Sequence, residues 1–495
     1  MVKLLKINEQ DNVAVAIQDI AAKETASTAE GVSVTALEDI GQGHKIALQA
    51  IAKGENVVKY GFPIGHTLAD IPTGAWVHTH NTATNLGEVL HYSYHPKSAP
   101  LPPQLPRQFM GYHRPNGQVG VRNEIWIIPT VGCVNSVVQR IEKLGQQYVT
   151  GSIDGIYSFV HPHGCSQMGS DQENLQRILA GLINNPNAAA VLVVGLGCEY
   201  NQIDLLKPFI GPYDEERVKF MVCQDFEDET EEGLRLLEEL AGYASRFTRQ
   251  PADASSLVVG LKCGGSDGFS GITANPLVGS FSDCLIAQGG STILTEVPEM
   301  FGAETLLMER CQDEATFDKT VNLINRFKEY LMSYHQVIYE NPSPGNKKGG
   351  ITTLEDKSLG CTQKGGRAPV VDVLYYGDPV KAHGLHLCTA PGNDLVASTT
   401  LAASGAQIIL FTTGRGTPFG APVPTVKIST NTRLYEKKKN WIDFNAGQLV
   451  EGKPMAQLTN EFFDYILRLA SGEVLTRTEE NGIREITIFK DGVTL

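Results

Sequence analysis

The chain has 495 residues, 42% hydrophobic and 19% charged, which is typical of a globular protein of about two to four domains. Its 41 lysines and arginines against 55 aspartates and glutamates give a formal charge of −14, which argues against nucleic acid or an anionic membrane as partner. No stretch approaches the roughly 18 apolar residues of a membrane span. Nine cysteines without a C-x-x-C motif, and an N-terminus unlike a signal peptide, favour the reducing cytoplasm.

Short stretches with β-branched residues, broken by Gly and Asp, predict a small all-β module over residues 1–91. Residues 92–110 contain five prolines and no helical period, so we expect a linker there. Beyond the linker, apolar runs alternate with helix-like segments, a β-α-β pattern that predicts a large α/β region with mostly parallel sheets. We assign 111–390 to its main part and 391–495 to a C-terminal α/β part of the same region.

Gly-rich and polar peptides follow most of the predicted strands of the α/β region. In open α/β sheets, ligands bind beyond the carboxyl ends of the strands, so these peptides are expected to converge on one crevice. Four cysteines beside glycines lie in such peptides: Cys133, Cys165, Cys198 and Cys263. Thiolates that meet in a crevice could hold iron or an iron–sulfur cluster, whereas single free cysteines are commonly small core residues.

Three histidines of the N-terminal module form a second candidate metal site. His78 and His80 make an H-x-H pair in WVHTHN, which alternates like a strand, so both rings are expected on one face. Two imidazoles on one face suit a divalent metal or a carboxylate substrate, and His44 in GQGHK is a weaker third ligand. The alternative is a hydrogen-bonded surface pair.

Three further residues are candidates for proton transfer. His161 lies in the Pro/Gly turn HPHGC, where an imidazole can shuttle a proton or ligate a metal. Glu296 in TEVPE follows a predicted strand and could abstract a proton or bind a metal, while Glu299 could instead cap the next helix. Lys347 in NPSPGNKKGG belongs to a Pro/Gly loop that is either a cationic pocket or a solvated surface.

The glycine-rich turn KCGGSDGFSGITANP resembles a backbone anion cradle at a helix N-terminus, but it matches neither nucleotide-binding glycine motif. Arg415 lies between two glycines in TTGRGTP, where its guanidinium could fork onto a carboxylate. Together with Arg415, the candidate substrate-binding residues are Gly265, Ser266, Asp267, Asn275, Asn346 and Thr417.

Several long peptides together resemble the altronate/galactarate dehydratase family over essentially the whole chain. They include GHKIAL, VKYGFPIG, CGGSDGFSGITANP, TEVPEMFGAE, NPSPGNKKGGITTLEDKSLGCTQK and TTGRGTPFG. VHTHN and the ending GVTL resemble the altronate branch of the family. The resemblance implies an N-terminal module of the SAF, or β-clip, type and a large α/β catalytic region.

The resemblance also implies a hydro-lyase that removes water from D-altronate to give 2-dehydro-3-deoxy-D-gluconate in cytoplasmic hexuronate catabolism. It implies iron(II), replaceable by manganese, and an iron–sulfur cluster is an alternative. For this reaction we assign His161 or Glu296 as the base and Lys347 or the metal as the acid, while Arg415 and residues 264–268 orient the substrate. A dehydratase for galactarate or another sugar acid and a non-catalytic sugar-acid-binding protein are the alternatives, and the sequence leaves open whether the chain forms a homo-oligomer.

Overall fold

The computed structural model describes residues 2–87, 90–97 and 99–494, so Glu88, Val89 and Ser98, at the predicted module–linker junction, lie outside the described residues. Among the described residues, no helix combines the length and the apolar character needed to cross a membrane.

The N-terminal module consists of short strands, because turn residues interrupt each apolar run after a few positions. Its main sheet is antiparallel with the order β1-β2-β5-β8, beside a three-stranded sheet β6-β7-β9 and the pair β3-β4. Its strands are β1 Leu4–Leu5, β2 Val13–Ala16, β3 Thr25–Ser27, β4 Ser33–Thr35, β5 Lys45–Ala47, β6 Asn56–Lys59, β7 Phe62–Thr67, β8 Trp76–Val77 and β9 Thr82–Ala83.

The middle region is a parallel four-stranded sheet with the order β13-β12-β14-β15, flanked by an antiparallel sheet β11-β10-β16. β12 and β14 are buried along their whole length, which explains their continuous apolar sequences. The elements are β10 Gln108–His113, β11 Val119–Gly120, β12 Glu124–Pro129, α1 Asn135–Gly145, β13 Gly155–Ser158, α2 Ser170–Ile183, β14 Ala188–Gly195, α3 Ile203–Ile210, β15 Val218–Val222, α4 Glu229–Ala244 and β16 Gln250–Asp253.

The C-terminal region contains a seven-stranded parallel sheet with the order β19-β20-β18-β17-β21-β22-β23. Its elements are β17 Val258–Cys263, α5 Ala274–Ile286, β18 Ser291–Leu294, α6 Glu304–Met308, α7 Glu314–Ser333, α8 Pro344–Lys348, α9 Leu354–Cys361, β19 Val370–Leu374, β20 Gly384–Cys388, α10 Asp394–Ala403, β21 Ile408–Thr413, β22 Thr425–Ser429, α11 Thr432–Lys437, β23 Phe444–Asn445, α12 Met455–Ala470 and α13 Arg477–Glu480. This sheet takes strands from both sides of residue 390, the predicted boundary within the α/β region.

The predicted fold class, a small all-β module followed by a large α/β region with parallel sheets, is confirmed. Helices α2 and α10 lie between the two parallel sheets, and apolar side chains of both sheets share one core with them. The C-terminal segment after α12 closes this arrangement, since Arg484 pairs with Glu124 of β12 at 2.9 Å and Arg122 pairs with Glu479 at 2.7 Å.

The N-terminal module docks onto the segment that holds α8 and α9. Asp356 of α9 is buried and accepts hydrogen bonds from Lys45 Nζ at 2.8 Å and Lys59 Nζ at 2.9 Å. Lys45 Nζ also donates to the Gly350 carbonyl at 2.7 Å. Burial lowers the pKa of Lys45 to about 8 despite this partner, while burial of Asp356 is outweighed by the two ammonium groups, which hold its pKa well below the usual range. These buried ion pairs therefore fix the position of the module relative to α9.

Candidate active site

A cleft of about 370 Å³ opens at the carboxyl ends of β17, β18 and β20, where a parallel sheet is expected to bind ligands. It is lined by residues that follow these strands, by the segment before and within α8, and by Lys357 of α9. The lining residues are Cys263, Gly264, Gly265, Pro298, Glu299, Asn341, Ser343, Asn346, Lys357, Gly392, Asn393 and Asp394.

Two cysteines and a carboxylate meet at the floor of this cleft. Cys263 Sγ lies 2.9 Å from Glu299 Oε2 and 3.4 Å from Cys361 Sγ. Their ligand atoms all lie within 4.8 Å of one another, and among the described residues this is the only trio of His, Cys, Asp or Glu side chains that close. The group could hold a metal ion, because two thiolates and a carboxylate suit a divalent transition metal.

Lysines and carboxylates alternate around this trio. Lys262 Nζ pairs with Glu296 and lies 2.9 Å from Asp394 Oδ1, while Lys357 Nζ lies 2.7 Å from Glu299 Oε1. All these side chains are almost fully buried except that of Asp394, which is 32% exposed and faces the cleft.

The charges fix the protonation states inside this cluster. Burial and the neighbouring Glu299 raise the pKa of Glu296. For Glu299 burial is outweighed by Lys357 and Lys364, so its pKa lies well below the usual range. Burial alone would lower the pKa of Lys357, but Glu299 raises it above the usual value, and the side chain is an ammonium. Three lysines, with Lys364 paired to Glu296 at 3.3 Å, thus face three carboxylates.

Glu296 is a supporting residue in this arrangement rather than a residue of the cleft surface. Its backbone is left-handed with φ 71°, and its carboxylate accepts from the Cys263 backbone N–H at 3.0 Å. An unfavourable backbone conformation persists only where surrounding contacts determine it, and here Lys262 and Lys364 supply them.

The predicted anion-cradle turn divides into lining and packing residues. Gly265, with φ 65°, borders the cleft beside Arg415 Cβ. Asp267 instead accepts hydrogen bonds from Thr430 Oγ1 at 2.9 Å and from neighbouring backbone and side-chain groups, and burial raises its pKa. Asn275 is buried and bridges the Gly360 carbonyl and Thr412 Oγ1.

Helix α8 separates two predicted residues. Asn346 faces the cleft, where its amide donates to the Ser266 carbonyl at 2.8 Å and Lys357 Nζ donates to its Oδ1 at 3.3 Å. Lys347 lies on the other side of the helix, in a shallow pocket of about 400 Å³ shared with His44 and His78.

His44 and His78 of the module contact the backbone of α8. β8 ends at Val77, so His78 and His80 lie in a turn and not along one strand face. His78 Nε2 bonds to the Lys347 carbonyl at 2.8 Å, and the His44 ring bonds to the Lys348 carbonyl and accepts from Trp76 Nε1 at 3.1 Å. Burial lowers the pKa of His78 to about 4, which keeps the ring neutral.

Arg415 and Thr417 follow β21. Arg415 is exposed at the rim of the cleft. Its side chain lies beside Gly345 of α8, since a Cβ added to that glycine would be 3.9 Å from Arg415 Nε. The Thr417 carbonyl accepts from Lys427 Nζ at 3.0 Å, and its hydroxyl accepts from the Phe419 N–H at 3.4 Å. Arg415 is thus available to a ligand, whereas Thr417 shapes its own loop.

His161 and three of the four predicted cysteines lie in the other parallel sheet. Cys133, Cys165 and Cys198 follow β12, β13 and β14, while Cys263 ends β17. His161 is buried, bonds through Nε2 to the Pro129 carbonyl at 2.8 Å and accepts the His163 N–H at 3.2 Å through Nδ1. Burial lowers its pKa to about 4.

Five residues of the cleft cluster were not predicted from the sequence: Lys262, Lys357, Cys361, Lys364 and Asp394. Lys357, Cys361 and Lys364 lie inside a peptide that carries the family resemblance, and the lysine–cysteine spacing in KSLGC places Lys357 and Cys361 on one face of α9. That spacing was the available signal, because the residues between are small or apolar.

Comparison with known proteins agrees with this architecture. Residues 2–85 match the altronate/galactarate dehydratase SAF domain, residues 111–245 the D-galactarate dehydratase/altronate hydrolase second domain, and residues 254–494 the D-galactarate/altronate dehydratase C-terminal domain.

Full-length relatives place the chain more closely. Altronate dehydratase of Escherichia coli (strain K12) is 54% identical over 99% of this chain and 99% of its own length, and altronate dehydratase of Bacillus subtilis (strain 168) is 54% identical over 100% of both. Galactarate dehydratase (L-threo-forming) of Escherichia coli (strain K12) is 32% identical over 98% of this chain and 96% of its own. The sheets and the cleft are therefore those of a hydro-lyase. The chain belongs to the altronate/galactarate dehydratase family, as its peptides predicted.

Proposed function

We propose that this protein is an altronate dehydratase, which removes water from D-altronate to give 2-dehydro-3-deoxy-D-gluconate. The observation that carries the proposal is the 54% identity to two altronate dehydratases over essentially the whole chain, against 32% to a galactarate dehydratase. The cleft supports it, because a polar cavity with a lysine and an aspartate facing inward suits a small polyhydroxy acid.

Dehydration of a 2,3-dihydroxy acid needs a base at C2 and an acid at the C3 hydroxyl. Asp394 is the partly exposed carboxylate of the cleft, and we assign its Oδ atoms to take the C2 proton. Lys357, an ammonium that also lines the cleft, gives a proton to the leaving hydroxyl, which departs as water. The C2–H electron pair becomes the C2–C3 double bond of an enol. Asp394 returns its proton to C3, and the enol hydroxyl returns one to Lys357.

This assignment replaces the base and the acid expected from sequence. Glu296 is held behind Lys262, and both nitrogens of His161 are occupied by backbone groups in the other sheet. Lys347 faces the pocket on the far side of α8. Arg415 keeps its proposed role, which is to fork onto the substrate carboxylate at the rim of the cleft.

Iron(II), or manganese in its place, would fit the trio of Cys263, Glu299 and Cys361. The sulfurs lie 3.4 Å apart, close to the roughly 3.8 Å expected for two thiolates on one tetrahedral ion with metal–sulfur bonds of about 2.3 Å. A dication that displaces the two thiol protons leaves the net charge of the surrounding lysines and carboxylates unchanged. When bound, the ion would supply Lewis acidity for the substrate carboxylate and hydroxyl.

The proposal is tested with protein purified without oxygen, stripped with a chelator and assayed before and after iron(II) is added. We expect 2-keto-3-deoxy acid from D-altronate and little from galactarate. Turnover of galactarate alone would transfer the substrate assignment to the other branch of the family. Binding of altronate without turnover, with iron restored, would favour the non-catalytic sugar-acid-binding protein.

The metal assignment has its own test, with cobalt(II) as a spectroscopic probe for thiolate ligands. Cys361→Ser should weaken cobalt binding by at least about tenfold and roughly halve the thiolate-to-cobalt absorption, because one of the two thiolate ligands is lost. Cys388→Ser, at a buried cysteine outside the cleft, is the matched control. An unchanged cobalt affinity in Cys361→Ser would exclude the trio as the metal site.

A further inference from the structure

Three cysteines of the middle region differ from the other six in their exposure. Cys133, Cys165 and Cys198 are exposed, whereas the remaining cysteines are buried or half-buried. Free cysteines are among the most buried residues of proteins, since they behave as small apolar groups. Three exposed thiols in one sheet therefore need another explanation than packing.

The three cysteines occupy equivalent positions at neighbouring strand ends. The sheet order is β13-β12-β14, and the loops after these strands carry Cys165, Cys133 and Cys198 respectively. After β12 the chain adds β13 on one side of β12, and it then crosses to the other side of β12 to form β14. The direction in which strands are added therefore reverses at β12. Such a reversal is where open parallel sheets bind their ligands.

Each of the three cysteines follows a glycine, and at each of these positions a larger residue would collide with neighbouring atoms. A Cβ on Gly164 would lie 2.1 Å from the Thr130 carbonyl oxygen, and one on Gly132 would lie 2.9 Å from the His161 carbonyl oxygen. Gly197 has φ 126°, and its Cβ would lie 2.6 Å from Gln224 Oε1. Gly132 and Gly164 thus let the Cys133 and Cys165 loops pack against each other, and Gly197 lets the Cys198 loop pack against the segment that follows β15.

Hydrogen bonds lock these loops together. The Gly132 N–H donates to the His163 carbonyl at 2.8 Å, and the Asn201 N–H donates to the Gly164 carbonyl at 3.0 Å. The Tyr200 N–H donates to the Cys165 carbonyl at 3.3 Å. His161 ties the same loop to the end of β12. The thiols are therefore held by a fixed backbone even though they are exposed.

The three thiols are neighbours, but they do not form one compact set of ligands. The Cys165 thiol has the Cys133 and Cys198 thiols as neighbours. The three sulfurs do not all lie within 4.8 Å of one another, as the cleft trio does. Thiolates on a single tetrahedral ion would be about 3.8 Å apart, whereas a cluster binds each cysteine through a different iron and needs wider spacing.

We propose that Cys133, Cys165 and Cys198 bind an iron–sulfur cluster of the four-iron type through three of its irons. Three cysteines would leave the fourth iron of such a cluster without a thiolate ligand, so that iron would be open to a small oxygen ligand such as a carboxylate or a hydroxyl. Each thiol loses its proton on ligation. The site shares no residue with the cleft lining, so this inference does not rest on the proposed function.

The test measures iron and acid-labile sulfide in the full-length protein, purified without oxygen and reconstituted with iron(II) and sulfide. We expect about four irons and four sulfides per chain in cluster form, visible charge-transfer absorption, and a paramagnetic signal after reduction. The triple variant Cys133→Ser, Cys165→Ser, Cys198→Ser should lose the sulfide and the signal. Because the three side chains are exposed, the variant should keep the thermal unfolding midpoint of the metal-free protein.

Two controls separate this site from the cleft. Cys284→Ser, at a half-buried cysteine of α5, should retain the cluster. The double variant Cys263→Ser, Cys361→Ser should also retain the sulfide and the absorption, even if it no longer turns over altronate. Full sulfide in the triple variant, loss of sulfide in the cleft double variant alone, or iron without sulfide in the reconstituted protein would each overturn the proposal.

Discussion

Both parallel sheets present glycine-flanked cysteines beyond their strand ends, but the two surroundings differ. In the seven-stranded sheet, Cys263 and Cys361 are buried among lysines and carboxylates. In the four-stranded sheet, the three cysteine loops carry exposed thiols with other thiols as neighbours. The same sequence pattern therefore leads to two different sites. We call the buried, charged cluster around Cys263 and Cys361 the closed site, and the group of Cys133, Cys165 and Cys198 the open site.

The difference shows that the carboxyl ends of parallel strands indicate where a ligand binds, but not which chemistry the site performs. Compensated charges inside the closed site fix protonation states and suit proton transfer on an anionic substrate. The open site has no such ion pairs among the described residues around its thiols, and it suits a ligand that brings its own charge. We therefore expect variants in the closed site to lose catalysis or stability, and variants in the open site to change the pH dependence of stability or the cluster content.

The largest expected effect is on catalysis in the closed site. Asp394→Asn should lower kcat by about 10²–10⁴-fold, because a general base is removed. Steady-state turnover of D-altronate measures this, together with exchange of the C2 hydrogen in deuterated water. Asp378→Asn, at an aspartate of similar exposure paired with Arg177, is the matched control. Wild-type turnover in Asp394→Asn, with loss in Glu296→Gln, would return the base to Glu296.

The second effect is on stability in the closed site. Glu296→Gln should lower the free energy of unfolding by about 3 kcal/mol, because Lys364 loses a buried carboxylate partner and Lys262 keeps one carboxylate, Asp394, instead of two. Urea denaturation of the metal-free protein measures this. Glu309→Gln, in an exposed pair with Lys97, should cost no more than about 1 kcal/mol. An equal loss of unfolding free energy in Glu296→Gln and Glu309→Gln would mean that the buried lysines do not depend on Glu296 to balance their charge.

The third effect is pH-dependent and belongs to the open site. His161 has a pKa of about 4 in the folded state and about 6.5 unfolded, so the unfolded chain binds more protons between these values. Folding stability therefore rises with pH over this window, and about 3 kcal/mol is lost as pH falls through it. His161→Gln should lack this component in urea denaturation across about pH 4 to 7. His113→Gln, at an exposed histidine of β10, should retain it, and a slope unchanged in His161→Gln would refute the assignment.

The fold was predictable because burial leaves strong periodic patterns. The near-continuous apolar sequences of β12 and β14 are short and bounded by turn residues, as buried parallel strands are, and the brief broken runs of the module are typical of small antiparallel sheets. The position of the cleft was predictable in part, since Cys263, Gly265 and Asn346 line it.

The remaining site residues were not predictable, because their partners are distant in sequence. His78 bonds to a carbonyl 269 residues away, and nothing in WVHTHN distinguishes this docking contact from metal ligation. Asp267 and Asn275 have the residue types of a binding turn, yet the loop itself uses their polar atoms. Lys357 and Cys361 acquire their environment only when α9 packs against the ends of β17 and β18.

The smallest expected effect concerns the rim that joins the closed site to solvent. Arg415→Lys should raise KM for D-altronate by about tenfold with a smaller change in kcat, because lysine keeps the charge but not the two-point fork onto a carboxylate. Arg433→Lys, at an exposed arginine of α11, is the matched control. Since the open site lies in the other sheet, neither variant should change iron or sulfide content. A change in kcat alone would mean that Arg415 acts on the reacting atoms, and unchanged kinetics would remove it from the substrate site.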